Sequence, residues 1–241
     1  MEVNFLNDID KGKAVYEYIP LHHLRDILRN KEFTLRRTCD WRKDGDVYEN
    51  FLLQQFANNN TTEQFIYGQC WTLKKESDAM WRIYSGKPKD YMQSIDELRF
   101  VAVKVQTTIN KLIDVFQSSS NPLYEKCAIG QVKYMSTNNI NKWMDKNSNW
   151  TNETLMQSCF MKRFPFSHEK EFRIIVCGNH SGKMEIIKIN IEPKLLFEKY
   201  VLDPRLSNIQ CDFIKAQLTS MGVEKSKIIK SSLYTFKHHC L

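Results

Sequence analysis

With 241 residues, 42% of them hydrophobic, the chain can bury a real core as one large domain or two small ones, and a single domain over residues 1–241 is expected. The formal net charge of +7 permits contact with nucleic acid or another polyanion without requiring it. No stretch approaches the roughly 18 apolar residues that span a bilayer, "MEVNFLNDIDKGK" is too polar for a signal peptide, and no Gly-rich P-loop or dinucleotide fingerprint occurs, so a cytoplasmic protein without a membrane partner is expected.

The elements follow in chain order. "AVYEYIP" alternates like a short strand, and "LHHLRDILRN" places Leu21, Leu24, Ile27 and Leu28 on one helical face. "KEFTLRRT" reads as extended. "DWRKDGDVYENFLLQQFANNNTTEQ" opens with a D-G turn, continues as a helix through Phe51, Leu52 and Gln55, and ends in a polar surface loop. The strand "FIYGQCWTL" precedes a short helix, capped by Ser77 or Asp78, that carries Met80, Trp81 and Tyr84.

"LRFVAVKVQT" is a β-branched strand, "TINKLIDVFQ" a helix and "AIGQVKYMS" a strand. "NINKWMDKNSNWTNETLMQSCFMKRF" is helical in part, with a loop around Asn147. "EFRIIVCG" and "MEIIKINI" read as consecutive strands across G-N-H-S-G, and "KYVLDP" as another. "NIQCDFIKAQLTSMG" is a helix closed by Gly222, and "KIIKSSLYTF" a last strand. Without regular βαβ alternation the class is α+β, with a body split into two sheets and helices at its periphery.

Seven scattered cysteines (39, 70, 127, 159, 177, 211 and 240), never spaced C-x-x-C, point to buried thiols. The pairs His22-His23 and His238-His239 are adjacent, and adjacent side chains diverge, so no metal is expected.

"SHEKEFRIIV", residues 167–176, raises the functional question. A period of two puts Glu169, Glu171, Arg173 and Ile175 on one face and Lys170, Phe172, Ile174 and Val176 on a core face. The charged face then looks onto a cleft, or it is solvated, with a Glu171–Lys162 or Glu169–Arg173 surface pair worth about 0.2–1 kcal/mol.

The succession "YEYIPLHHLRDILRNKEFTLRR", "DGDVYENF", "CWTLKKESDAMWRIYS", "VAVKV", "IGQVKYMS", "KRFPFSHEKEFRII" and "YVLDPRLS…SSLYTF" resembles the bacterial domain-of-unknown-function family 2971 over most of the chain. Its pattern combines a C-F-S-like triplet, here C-W-T, with M-W-x-x-Y and F-x-x-E-x-E-x-R. "DVYE", with Asp46 and Glu49, lacks the proline of the family's Asp-Pro-aromatic-Glu segment, and Asp46 alternatively starts a helix. The layout is also similar to the ADP-ribosyltransferase fold, especially its DNA-modifying toxin branch.

That second resemblance implies transfer of ADP-ribose from NAD+ through an oxocarbenium-like state, which needs a carboxylate near the ribose, an aromatic wall and donors for the diphosphate. It implies Glu171 as the catalytic carboxylate, with Glu169 as helper. Tyr18 and Thr72 occupy positions that grip NAD or are simply structural. Trp81 and Tyr84 share a helix face that either stacks on nicotinamide or forms a core stripe, with Met80 and Ile83 facing inward. Arg36, Arg37 and Arg42 form a diphosphate grip or a solvated basic edge. Lys162 and Arg163 meet phosphate or orient the carboxylate, and Arg173 is counted with the NAD-binding set.

Two classes of function follow. One is an NAD-dependent ADP-ribosyltransferase of the toxin–antitoxin or antiviral defence type. Interleaved lysines and aromatics in "KKESDAMWRIYSGKPKDY" and "NKWMDKNSNW" favour single-stranded nucleic acid as acceptor, RNA over DNA, with a protein acceptor as the alternative and an antitoxin as a possible partner. The other is a basic module that binds nucleic acid or a partner without turnover.

Overall fold

The computed structural model describes residues 2–6, 8–38, 41, 49, 65–92, 94–119, 124–147, 151–178 and 185–235. The turn, helix and polar loop expected across residues 42–64, the side chains of Arg42 and Asp46, and Cys39, Cys240, His238 and His239 lie outside the described residues, except for Glu49.

Strands are β1 (Glu2–Phe5), β2 (Ala14–Pro20), β3 (Glu32–Arg37), β4 (Phe65–Thr72), β5 (Ala102–Thr108) and β6 (Tyr124–Gln131). They continue as β7 (Lys133–Met135), β8 (Met161–Arg163), β9 (Glu171–Gly178), β10 (Ile186–Asn190), β11 (Lys199–Leu202) and β12 (Ile228–Lys230). Helices are α1 (Leu21–Asn30), α2 (Asp78–Tyr84), α3 (Ile109–Ser118), α4 (Thr137–Lys146), α5 (Asn152–Ser158), α6 (Pro193–Leu196) and α7 (Asn208–Ser220). The chain is mixed α/β and packs as two compact units. One comprises Met1–Lys13, Phe33–Leu73 and Ile109–Asn190, and the other Ala14–Glu32, Lys74–Thr108 and Ile191–Leu241.

In the first unit the strand order is β1-β6-β9-β4-β3-β10. β1 runs parallel to β6, whereas β6–β9, β9–β4 and β4–β3 are antiparallel. β9 lies in the middle, and all eight of its residues are buried. Leu155 and Met156 of α5, with Cys159 and Phe160 after it, pack on Ile66, Ala128, Ile175 and Cys177. α5 therefore covers the end of β9 around Ile175 and Cys177, and Glu171 and Arg173 are buried rather than on a solvated face.

Gly68 leaves room on this face for Ile175 and Trp41. Gly68 sits opposite Ile175 in the β4–β9 register. A Cβ there would lie 2.7 Å from Ile175 Cδ1 and 2.7 Å from the Trp41 ring. The expected strand "AIGQVKYMS" divides at Val132, whose amide donates to the Glu171 carbonyl at 3.0 Å. Beyond it β7 pairs with β8 in parallel, setting Tyr134 beside Lys162. "MEIIKINI" is a strand, but β10 pairs with β3 and not with β9.

In the second unit the order is β2-β5-β11-β12, with β5 antiparallel to both neighbours and β12 parallel to β11. Leu21 and Leu24 of α1 are buried, and Lys31 ends the helix in the left-handed region at φ 54°. The Ser77 hydroxyl caps α2 by accepting from the Met80 amide at 3.4 Å. A Ser207/Gln210 capping box starts α7, and Gly222 closes it at φ 88°. Among the described residues of "KIIKSSLYTF", Ile228–Lys230 is the strand. Among the described residues no helix is long and apolar enough to cross a membrane.

Candidate functional site

The charged cluster begins where β9 begins. Phe164–Glu169 forms a 3-10 turn, and Lys170 takes the left-handed region at φ 49° before the strand opens at Glu171. Glu169 is thus not a strand residue, and the strict alternation that linked it to Glu171 does not apply. Lys170 resets the direction of the chain. The turn is tied to β4 nonetheless: the Thr72 hydroxyl donates to the Glu169 carbonyl at 2.5 Å, and the Leu73 amide to the Lys170 carbonyl at 2.9 Å.

These backbone constraints converge two carboxyls on two cations. Lys162 Nζ donates to Glu169 at 2.6 Å and to Glu171 Oε1 at 2.5 Å. Arg173 takes the other Glu171 oxygen through Nε at 2.5 Å and reaches Glu49 through Nη2 at 2.5 Å. Its Nη1 donates to the Cys159 carbonyl at 2.6 Å, and its guanidinium lies 5.2 Å from the Trp41 ring centroid. The Tyr134 hydroxyl accepts from the Glu171 amide at 2.8 Å. Glu169, Glu171 and Lys162 are each 5% exposed and Arg173 1%. The expected Glu171–Lys162 pair exists, but in the interior, where pairing decides whether a charge is tolerated at all.

Among the described residues three carboxyls, Glu49, Glu169 and Glu171, face two cations, Lys162 and Arg173. If all three ionise, a net negative charge is buried, and one proton removes it. Burial works against ionising Glu171, but Arg173, the hydrogen bond with Glu169, and Lys162 outweigh it and hold its carboxyl well below the usual range. Burial, reinforced by the hydrogen bond to Glu171 and by its charge, pushes Glu169 up to about 7. Burial opposes the charge of Lys162 and Arg173 too, yet Glu171 and Glu49 raise both above their ordinary values. The two carboxyls are thus biased in opposite directions, Glu171 toward its ionised form and Glu169 toward its protonated one.

The aromatic candidates lie in the second unit. Trp81 is fully buried, meets Tyr18 edge-on at 4.7 Å, and donates its indole N–H to Glu76 at 2.7 Å. Tyr84 is exposed and stacks on Tyr18 at 6.4 Å. Met80 faces inward as expected, but Ile83 is 55% exposed. The buried arc of α2 runs through positions 80 and 81, so Trp81 and Tyr84 do not share one environment. Lys104, which no motif singled out, is buried among the Tyr16, Tyr18 and Trp81 rings and donates to Glu76 at 3.1 Å.

The structure therefore gathers Glu169, Glu171, Lys162, Arg173 and Thr72 in the first unit, and Tyr18, Trp81 and Tyr84 in the second. Arg37 lies on β3 in register with Tyr67 of β4, and its amide donates to the Glu185 carbonyl. The reading of residues from their spacing passed over Tyr134 and gave Glu49 no role of its own. The one available signal was the "DVYE" segment, which carries Glu49 but not its partner. Cys127, Cys159, Cys177 and Cys211 are buried. Among the described residues no group of three or more His, Cys, Asp or Glu is placed to hold a metal ion.

No family model matches the chain, and no curated protein matches it. Among solved structures it is similar to DarT of Thermus sp. 2.9 in complex with NAD+, at 9% identity over 95% of this chain and 100% of that one, with a TM-score of 0.42. A likeness that low carries no argument about fold or chemistry.

Proposed function

We propose that the chain is an NAD-dependent ADP-ribosyltransferase of the toxin or phage-defence type, with Glu171 as the carboxylate and Glu169 as its helper. The observation that carries this reading is that Glu169 and Glu171 share the Lys162 ammonium, at 2.6 and 2.5 Å, while Arg173 engages only Glu171, an asymmetry that holds Glu171 ionised and raises Glu169. Environments that push two carboxyls apart are what glycosyl chemistry uses to divide labour between them.

In this reading the C1′–N bond of NAD+ breaks and its electron pair leaves with nicotinamide. Ionised Glu171 stabilises the positive charge that develops on the ribose. The acceptor attacks C1′, and its proton passes to Glu169, whose raised value suits it to a base near neutral pH. The NAD-binding set implied by resemblance is Arg37, Thr72, Lys162 and Arg173 in the first unit and Tyr18, Trp81 and Tyr84 in the second. The split two-sheet transferase core, membership of the domain-of-unknown-function family 2971, a cytoplasmic setting and an antitoxin partner belong to the same proposal.

A second reading has its own observation: both Glu171 oxygens are engaged and the whole cluster is buried, as in a purely structural network. It makes the chain a non-catalytic module that binds nucleic acid or a partner. Incubation of the full chain with labelled NAD+ and, separately, RNA, DNA and lysate protein divides the readings. Label on single-stranded RNA is expected, label on protein alone selects the protein acceptor, and no label together with no NAD+ binding selects the non-catalytic module.

A further inference from the structure

In the second unit α7 crosses from β11 to β12, and β12 is the last strand of its sheet. The parallel register sets Tyr200 beside Ile228 and Leu202 beside Lys230, and the Ser231 amide donates to the Leu202 carbonyl at 3.0 Å. Alternation therefore turns the Lys230 amide, its carbonyl and the Ile228 carbonyl away from β11. Among the described residues no strand pairs with that side. An open edge is a template for a further strand unless it is guarded, commonly by a lysine. Lys230 does not guard it, because its Nζ is drawn back to the Leu206 carbonyl at 2.5 Å.

Between α7 and the approach to β12 lies a cleft of about 390 Å3, lined by Asp212, Lys215, Ala216, Thr219, Lys225 and Ile228. The four α7 residues follow the spacing of one helix face, and Ile228 opens β12, so a helix and an edge strand form its walls. Thr219 Oγ1 is buried and, among the described residues, has no hydrogen-bond partner. Lys215 and Lys225 outweigh Asp212 in the lining. Burial raises the Cys211 thiol, and Lys230 and Lys215 oppose it, so positive charge gathers along this side of α7. Among the described residues no aromatic ring lines the cleft, which therefore lacks the stacking surface that single-stranded nucleic acid uses.

We propose that the β12 edge and this cleft together take up an extended acidic segment of a partner protein, which adds a strand to β12. Main-chain hydrogen bonds to Lys230 and to the Ile228 carbonyl hold the added strand, and its alternate side chains enter the cleft. There a carboxylate meets Lys215, Lys225 and the Thr219 hydroxyl, and an apolar side chain covers Ala216 and Ile228. The site lies wholly within the second unit and does not rest on the NAD reading.

The probe is a fluorescent peptide of about nine residues in which valine and glutamate alternate, bound to the full chain and followed by anisotropy. It is compared with a valine–lysine peptide, with the same acidic peptide N-methylated along its backbone, and with an oligouridylate. Lys225→Glu reverses a charge of the cleft, and Lys230→Pro removes the outward amide without touching the ladder to β11. The acidic peptide is expected to bind and to slow hydrogen exchange at Lys230, and N-methylation and each substitution to weaken it by at least about tenfold. No binding, or equal binding of the lysine peptide, overturns the proposal. Undiminished binding of the N-methylated peptide overturns strand addition. Displacement of the peptide by the oligouridylate, with the same loss in Lys225→Glu, makes nucleic acid the occupant, and a dimer of the chain that Lys230→Pro dissociates makes it a second copy. If Lys230→Pro fails to fold, the N-methylated peptide decides, since it leaves the chain unchanged.

Discussion

Arg173 Nε donates to Glu171 at 2.5 Å, from two positions away on the same face of β9. A strand that reads as half-polar is thus buried along its whole length because its charges neutralise one another in place. Arg173→Met leaves Glu171 and Glu49 without this partner in the interior. A loss of about 3–5 kcal/mol in urea denaturation is expected, and a loss below about 1 kcal/mol would show that the network is not a buried charge pair.

The pH dependence follows from Glu169. Its folded value near 7 lies above the ordinary carboxylate value of about 4.3. Between those values the folded chain binds more protons than the unfolded one, so this group makes stability fall as pH rises. Glu171 acts in the opposite sense: held below the ordinary range, its contribution is present above that range and is lost as pH falls through it. The urea midpoint of the wild type is expected to decline between about pH 5 and about pH 8, and Glu169→Gln to flatten the decline. Equal slopes in the two proteins contradict the assignment.

On α2 the two orientations are separable by substitution. Trp81→Phe keeps an aromatic ring but removes the donor that meets Glu76 at 2.7 Å, and about 1–3 kcal/mol is expected to be lost. Ile83→Ser, at an exposed position, is expected to stay within about 0.5 kcal/mol. The reverse ranking in thermal denaturation would return Ile83 to the interior.

Gly68→Ala places a methyl group 2.7 Å from both Ile175 and Trp41. Overpacking of about 1–3 kcal/mol is expected, measured as a lowered urea midpoint. A neutral effect would mean that Ile175 and Trp41 do not close on Gly68 as tightly as the geometry requires.

Period two separated Phe172, Ile174 and Val176 from Glu171 and Arg173 on β9, because alternation is a property of the strand itself. It misplaced Glu169, because the left-handed Lys170 is a local backbone event that charge patterning does not record. It also left the Glu171 side chain open to solvent or a cleft, since the partners that bury it, Lys162 and Tyr134, come from tertiary packing. Glu49 stands 124 residues from Arg173, and no spacing rule links such a pair. On α2, a helix of seven residues, both candidate stripes are apolar, so periodicity could not choose between Trp81 and Ile83 as the inward side chain.

The central claim is that Glu171 performs chemistry as well as pairing with Lys162 and Arg173. It is tested most directly by the rate of label transfer from NAD+ to RNA in the wild type and in Glu171→Gln, with folding of both checked by thermal denaturation. Transfer by the wild type and its loss by at least about 100-fold in a folded Glu171→Gln is the expected result. Equal transfer by the two proteins would contradict it.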